Sequence, residues 1–180
     1  MQGGWWVDGE NKSGYSLAAD LEGIATDPLP TLWRPLPDDC EPAYWRVSRA
    51  IKDTGLAIVE RPLPPWRQGT ATVDTIVVST TIPDSRNRLA TLLHEYAHVL
   101  AHFGPVAREK VERQCELEAE SDCYVALQHL GIDYPFSRDY LLHFRVTPDL
   151  LYQSLGAVQG IVRRMMRAVE AVKEDRAQAV

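Results

Sequence analysis

Leu89, Leu92, Leu93, Tyr96, Val99, Leu100 and Phe103 recur at the spacing of a single helix face. That period predicts an amphipathic helix through the run Arg88–His102. Asp84 or Ser85 can cap its start, and Gly104-Pro105 ends it. Upstream, Asp38-Asp-Cys-Glu-Pro42 places acids and a proline where a helix begins. The helix it opens reaches about Thr54, ends at Gly55 and turns Tyr44, Val47, Ala50 and Ile51 inward. Leu56–Glu60 then reads as a strand, Arg61–Gly69 as a proline-rich loop, and Ala71–Thr80 as a second strand carrying Val73, Ile76, Val77 and Val78. The pair predicts a small sheet beside the Arg88–His102 helix.

Beyond it, a long helix over Val106–Leu130 stops at Gly131, and Ser137 opens a short helix through His143. Thr147-Pro148-Asp149 is a cap followed by proline, and the last helix runs from about Gly156 into the charged tail. Residues 1–37, rich in glycine and proline, predict an irregular N-terminal arm with Trp5, Trp6 and Trp33 as packing anchors. Residues 38–180 form the main domain. No internal repeat is visible.

The central helix carries His94-Glu95-Tyr96-Ala97-His98. Residues four apart share a helix face, so His94 and His98 can aim two imidazoles at one point, as a Zn²⁺ ion asks of two ligands. Glu95 is turned from that row but stays close to it, where a carboxylate can act as general base on a water that zinc holds. A catalytic site needs a third protein ligand, expected from a later element facing this helix. Glu116-Leu-Glu-Ala-Glu120 is the source: Glu116 as ligand, with Glu120 one turn on to hydrogen-bond a ligand histidine from behind. Glu118 is the reserve ligand. Tyr124, Tyr140 and His143 are candidates for stabilising an oxyanion, unranked, with Tyr124 and Tyr140 counted among the catalytic residues. His102, one turn past His98, could line the site, but the preferred reading is a helix-end histidine contacting the last carbonyls. The Ala71–Thr80 strand offers an edge for an extended substrate.

Composition narrows the setting. A formal charge of −6 gives no general reason to bind nucleic acid, and direct binding is not expected. Arg163, Arg164, Arg167, Lys173 and Arg176 alternate with apolar residues as a solvated helix face. No apolar run approaches the roughly eighteen residues of a membrane span, and the N-terminus lacks the pattern of a signal peptide. Cys40, Cys115 and Cys123 cannot all pair with one another, which suits a reducing cytoplasm. Cys115 and Cys123 lack metal-ligand spacing and are expected to be buried thiols.

Leu92-Leu-His-Glu-Tyr-Ala-His98, followed by Glu116-x-Glu-Ala-Glu-Ser-x-x-Tyr124-Val, resembles the ImmA/IrrE-type metallo-endopeptidases. Leu130-Gly-Ile-Asp, then Ser137-x-x-Tyr140-Leu, is similar to the metallopeptidase domain of ArdC-type anti-restriction proteins. The likeness covers about residues 70–175. It implies a zincin-like (gluzincin) α+β fold, mostly helical, with a small sheet beside the H-E-x-x-H helix. It also implies His94, His98 and Glu116 as zinc ligands and Glu95 as the acid/base. The expected activity is cleavage of a specific protein substrate, such as a repressor or other DNA-binding regulator. The alternative is a non-catalytic, zinc-stabilised binding protein of anti-restriction or DNA-regulatory type. Residues 1–70 are shorter than the single-stranded-DNA domain that ArdC-type proteins carry.

Overall fold

The computed structural model describes residues 39–103, 110–137, 140–141 and 146–178, with side chains up to residue 172. The arm expected over 1–37, the Gly104-Pro105 stop and His143 lie outside the described residues. The elements run α1 (Glu41–Asp53), β1 (Ala57–Arg61), β2 (Gly69–Ala71), β3 (Thr75–Ser79), α2 (Ser85–His102), α3 (Glu112–His129) and α4 (Pro148–Gln178). The protein is thus mixed α+β, and its described residues are mostly helical with one three-stranded sheet. Among the described residues, no helix is long and apolar enough to cross a membrane.

Strand order is β1-β3-β2, with β1 parallel and β2 antiparallel to β3. Val59 pairs with Val77 on one side of β3, and Thr70 pairs with Val77 on the other. Two expectations change here. The β3 strand is central, so it has no edge to offer a substrate. The outer strand beside α2 is β2, whose first residue had been read as the end of the loop. Three residues with one small apolar side chain are too short for a period to register, and only pairing with β3 makes them a strand.

Helix α2 runs through the middle of the molecule, against α1, α3, α4, β2 and β3. Leu89, Leu92, Leu93 and Ala97 are fully or almost fully buried along it. Each large aliphatic side chain so buried contributes on the order of 1.5–3 kcal/mol from the area removed from water. The capping alternatives resolve cleanly. Asp84 is the N-cap and accepts from the Asn87 backbone N–H at 2.9 Å, while its second oxygen accepts from Asn87 Nδ2 at 2.8 Å. Ser85 Oγ instead accepts from the Cys40 N–H at 2.7 Å, tying the start of α1 to the start of α2.

A second tie is polar. Arg88 on α2 lies over the Tyr44 ring at 4.4 Å and reaches Glu41 at 2.8 Å and Glu60 at 3.0 Å. Tyr44 donates to Glu60 at 2.8 Å, and burial together with that carboxylate pushes its phenol up to about 12. Gly55 and Gly131 follow α1 and α3 with φ of 93° and 74°, the left-handed conformation that ends a helix without a Cβ penalty. Helix α4 starts at Pro148, earlier than the expected Gly156. Gly156 and Gly160 lie on its exposed side with open space around them, so the helix passes through both without breaking. Its buried face, from Val158 through Met165 to Val169, packs on α3 and α1. Arg163, Arg164 and Arg167 are exposed, as their spacing predicts.

Replacing Asp84 by alanine should cost roughly 0.5–2 kcal/mol by orphaning the first-turn N–H. A thermal melt of the variant should show a lower midpoint. An unchanged midpoint would mean that water caps α2 equally well.

Candidate metal centre

Helices α2 and α3 cross so that two imidazoles of one face a carboxylate of the other. His94 Nε2 lies 3.0 Å from His98 Nε2, and their rings meet edge to face at 4.8 Å between centroids. Glu116 on α3 places Oε1 at 3.1 Å from His98 Nε2 and Oε2 at 3.5 Å from His94 Nε2. These potential ligand atoms all lie within 4.8 Å of one another. Glu116 is 1% exposed and His98 is buried, so His94 alone of the three keeps contact with the surface. The triad is a candidate metal-binding site.

Partners behind the triad set its protonation. Glu120 Oε2 lies 3.0 Å from His94 Nδ1, as the sequence predicts. An ionised carboxylate only accepts, so Nδ1 carries the proton and the Nε2 lone pair is available for a metal. Without a cation, Nε2 lone pairs and a carboxylate would confront each other with nothing between them. Burial disfavours the His94 imidazolium, but hydrogen bonds to Glu116 and Glu120 overcome it and raise His94 well above its ordinary value. His98 moves the other way, lowered by burial and only partly held up by Glu116. Burial would raise Glu116, yet the His98 and His94 imidazoles packed against it bring it well below the carboxylate range.

Glu95 is buried beside this group, and burial raises its carboxyl to about 7, with Glu116 adding to the effect. Strand β2 presses on it. A Cβ at Gly69 would sit 2.6 Å from Thr91 Cγ2 and 2.8 Å from Glu95 Oε1, so only glycine allows the strand this close. Next to it, Thr91 Oγ1 donates to Gln68 Oε1 at 3.0 Å.

The oxyanion candidates separate. Tyr140 donates its hydroxyl to Glu116 Oε2 at 2.6 Å, and its ring meets His94 edge-on at 5.6 Å. Burial and the neighbouring Glu116 raise its phenol well above the ordinary value, so it stays a donor. Tyr124 stands 43% exposed on α3. Glu118, the reserve ligand, turns to His102 and Lys110 instead. His102 is corrected: its Nδ1 lies 3.0 Å from His98 Nδ1, and its Nε2 contacts Glu118 rather than helix-end carbonyls. The triple spacing of His94, His98 and His102 was the available signal, but the partner from α3 was not visible in it.

Three thiols are free. Cys123 is buried as expected and donates to the Ala90 carbonyl, while Cys115 is half-buried.

Asp122 is the outlier on α3. It is 0% exposed, and neither carboxylate oxygen has a hydrogen-bond partner among the described residues. Burial, reinforced by the Glu118 charge, raises it to about 8.

No protein-family model matches the chain, and no curated protein or solved structure matches it either. Fold and site by themselves define an α+β protein with a His-His-Glu triad that could hold a metal ion between two of its helices.

Asp122 gives a signed pH effect. Its folded value lies above the ordinary 3.8, so between about pH 4 and 8 the folded state keeps a proton that the unfolded chain has released. Stability is lost as pH rises through that window, by up to about 1.4 kcal/mol per pH unit for one proton. Urea unfolding of metal-free Asp122→Asn at pH 5 and 7.5 should show a shallower decline than the parent. Parallel declines would assign the proton to another group.

Proposed function

We propose that the chain is a zincin-like zinc metallopeptidase, hydrolysing peptide bonds of a specific protein substrate. The observation that carries this reading is the convergence of His94, His98 and Glu116, with the Glu95 carboxyl buried next to them. The donor set fits zinc: two imidazole nitrogens and one carboxylate, with Glu120 fixing one imidazole. His94 and His98 would hold the ion through Nε2 and Glu116 through its carboxylate. A bound zinc ion would supply Lewis acidity, favouring deprotonation of water near neutral pH.

The remaining chemistry belongs to the chain. Glu95, near 7 without metal, is drawn toward its ionised form by any cation beside it and accepts the proton of the attacking water. The same carboxyl then returns the proton to the leaving amine. The Tyr140 hydroxyl, whose one hydrogen goes to Glu116 Oε2 in this structure, would serve the developing negative charge on the scissile oxygen by turning that hydrogen away from Glu116. The outer strand β2 touches Glu95 through Gly69 and suits an extended peptide that adds to the sheet. The resemblance of the His94–His98 and Glu116–Tyr124 motifs to ImmA/IrrE-type proteins favours a DNA-binding regulator as substrate. Free thiols favour a reducing, cytoplasmic setting.

Purified protein should carry stoichiometric zinc and create new peptide termini in a mixed peptide library read by mass spectrometry. Glu95→Gln should keep the zinc and lower cleavage by roughly 10²–10⁴-fold, whereas His94→Ala should lose the metal. Cleavage at the parent rate in Glu95→Gln would refute the peptidase chemistry. If Glu95→Gln also preserves the biological effect, the binding-protein alternative takes over.

Gly69→Ala offers a separate check on strand β2. Its methyl meets Thr91 and Glu95 first and pushes on the Glu95 side chain, so cleavage should fall at unchanged zinc content. Equal activity would show that Glu95 does not depend on the strand for its position.

A further inference from the structure

The two candidate ligand histidines are supported differently from behind. His94 meets the Glu120 carboxylate directly, but His98 meets another imidazole. His98 Nδ1 lies 3.0 Å from His102 Nδ1, and His102 Nε2 lies 2.9 Å from Glu118 Oε2. Glu118 also accepts from Lys110 Nζ at 2.6 Å and from Gln114 Nε2 at 3.1 Å. The side chains of His102 and Glu118 are 3% and 2% exposed. Nothing in the triad itself calls for this array, and the peptidase reading does not use it.

Its hydrogen-bond directions are fixed by chemistry. An ionised Glu118 only accepts, so a His102 ring carrying one proton holds it on Nε2. That leaves His102 Nδ1 as an acceptor, and His98 Nδ1 must be the donor. His98 then has its lone pair on Nε2, the atom that faces His94 and Glu116. Reversing any one bond would put a hydrogen on Nε2 and close His98 to a metal. A ring held at one edge by an 18-residue helix and at the other by His102 also keeps its plane.

We propose that His102, anchored by Glu118, is a positioning residue that sets the tautomer and ring orientation of His98 and thereby the affinity of the site for its metal. This rests on the metal-site reading above. The array is absent from the steps assigned to Glu95 and Tyr140, so its effect belongs to zinc retention.

The test measures zinc dissociation constants on the full chain by competition with a chelating dye, with Co²⁺ absorption as a second readout of ligand geometry. His102→Leu fills the space but accepts nothing from His98, and should weaken zinc roughly 10–100-fold. His102→Asn offers an amide oxygen where Nδ1 stood and should recover most of that loss. His102→Gln offers its amide nearer the Nε2 position, keeps Glu118 and abandons His98, so it should remain weak. Equal zinc affinity in parent and Leu variant, or equal weakening in Asn and Gln, overturns the proposal. If His102→Leu does not fold by circular dichroism, the Asn–Gln comparison decides alone. A parent chain that holds no zinc overturns the metal reading and this inference together. A zinc-binding parent with indifferent variants overturns this inference only.

Discussion

Carboxylates buried between two helices are the constraint on which this structure turns. Glu116, Glu118 and Glu120 are each at most 5% exposed, on a helix of only 18 residues. An isolated charge in that position costs several kcal/mol and would ordinarily take up a proton. Here each acid faces an imidazole: Glu116 meets His98 and His94, Glu118 meets His102, and Glu120 meets His94. The three histidines occupy one row of α2, so the crossing of α2 and α3 is specified by matched polar groups as much as by Leu92, Leu93, Leu117 and Ala119. Asp122, without such a partner among the described residues, marks where the matching ends.

The rest of the fold holds that crossing in place. Helix α1 and the sheet fix the N-terminal half of α2 through Ser85, Arg88 and Tyr44. Helix α4, with Met165, Met166 and Val162 buried, packs on α3, α1 and α2. Strand β2 closes on the Glu95 side, and its approach depends on the missing side chain at Gly69. A scaffold of this kind puts its polar cluster on helices rather than loops, which suits ligands that must keep their geometry.

Much of this was legible because it is local. The 3.6-residue period of Leu89, Leu93, Tyr96 and Leu100 gives α2, and the same period puts His94 and His98 on one row. The four-residue step from Glu116 to Glu120 likewise anticipates that both turn to the same row, and both meet His94. Helix ends were visible wherever the backbone demands a special residue, as at Gly55 and Gly131. Local rules failed where a feature has no local cause. Strand β2 is three residues long and exists through its ladder to β3. Glycines at 156 and 160 read as interruptions, but open surroundings let α4 continue across them.

The chain by itself thus determined its helices, the row of histidines and the acids able to meet them, because those follow from period and residue chemistry. Tertiary structure decided which acid meets which ring: Glu118 turns to His102 and away from the triad, Tyr140 rather than Tyr124 reaches Glu116, and β2 rather than β3 lies against Glu95. The physical reason is distance in sequence. A helix fixes the direction of its own side chains to within a turn, but the partner across an interface depends on how two helices cross, and that angle is set by every buried contact at once.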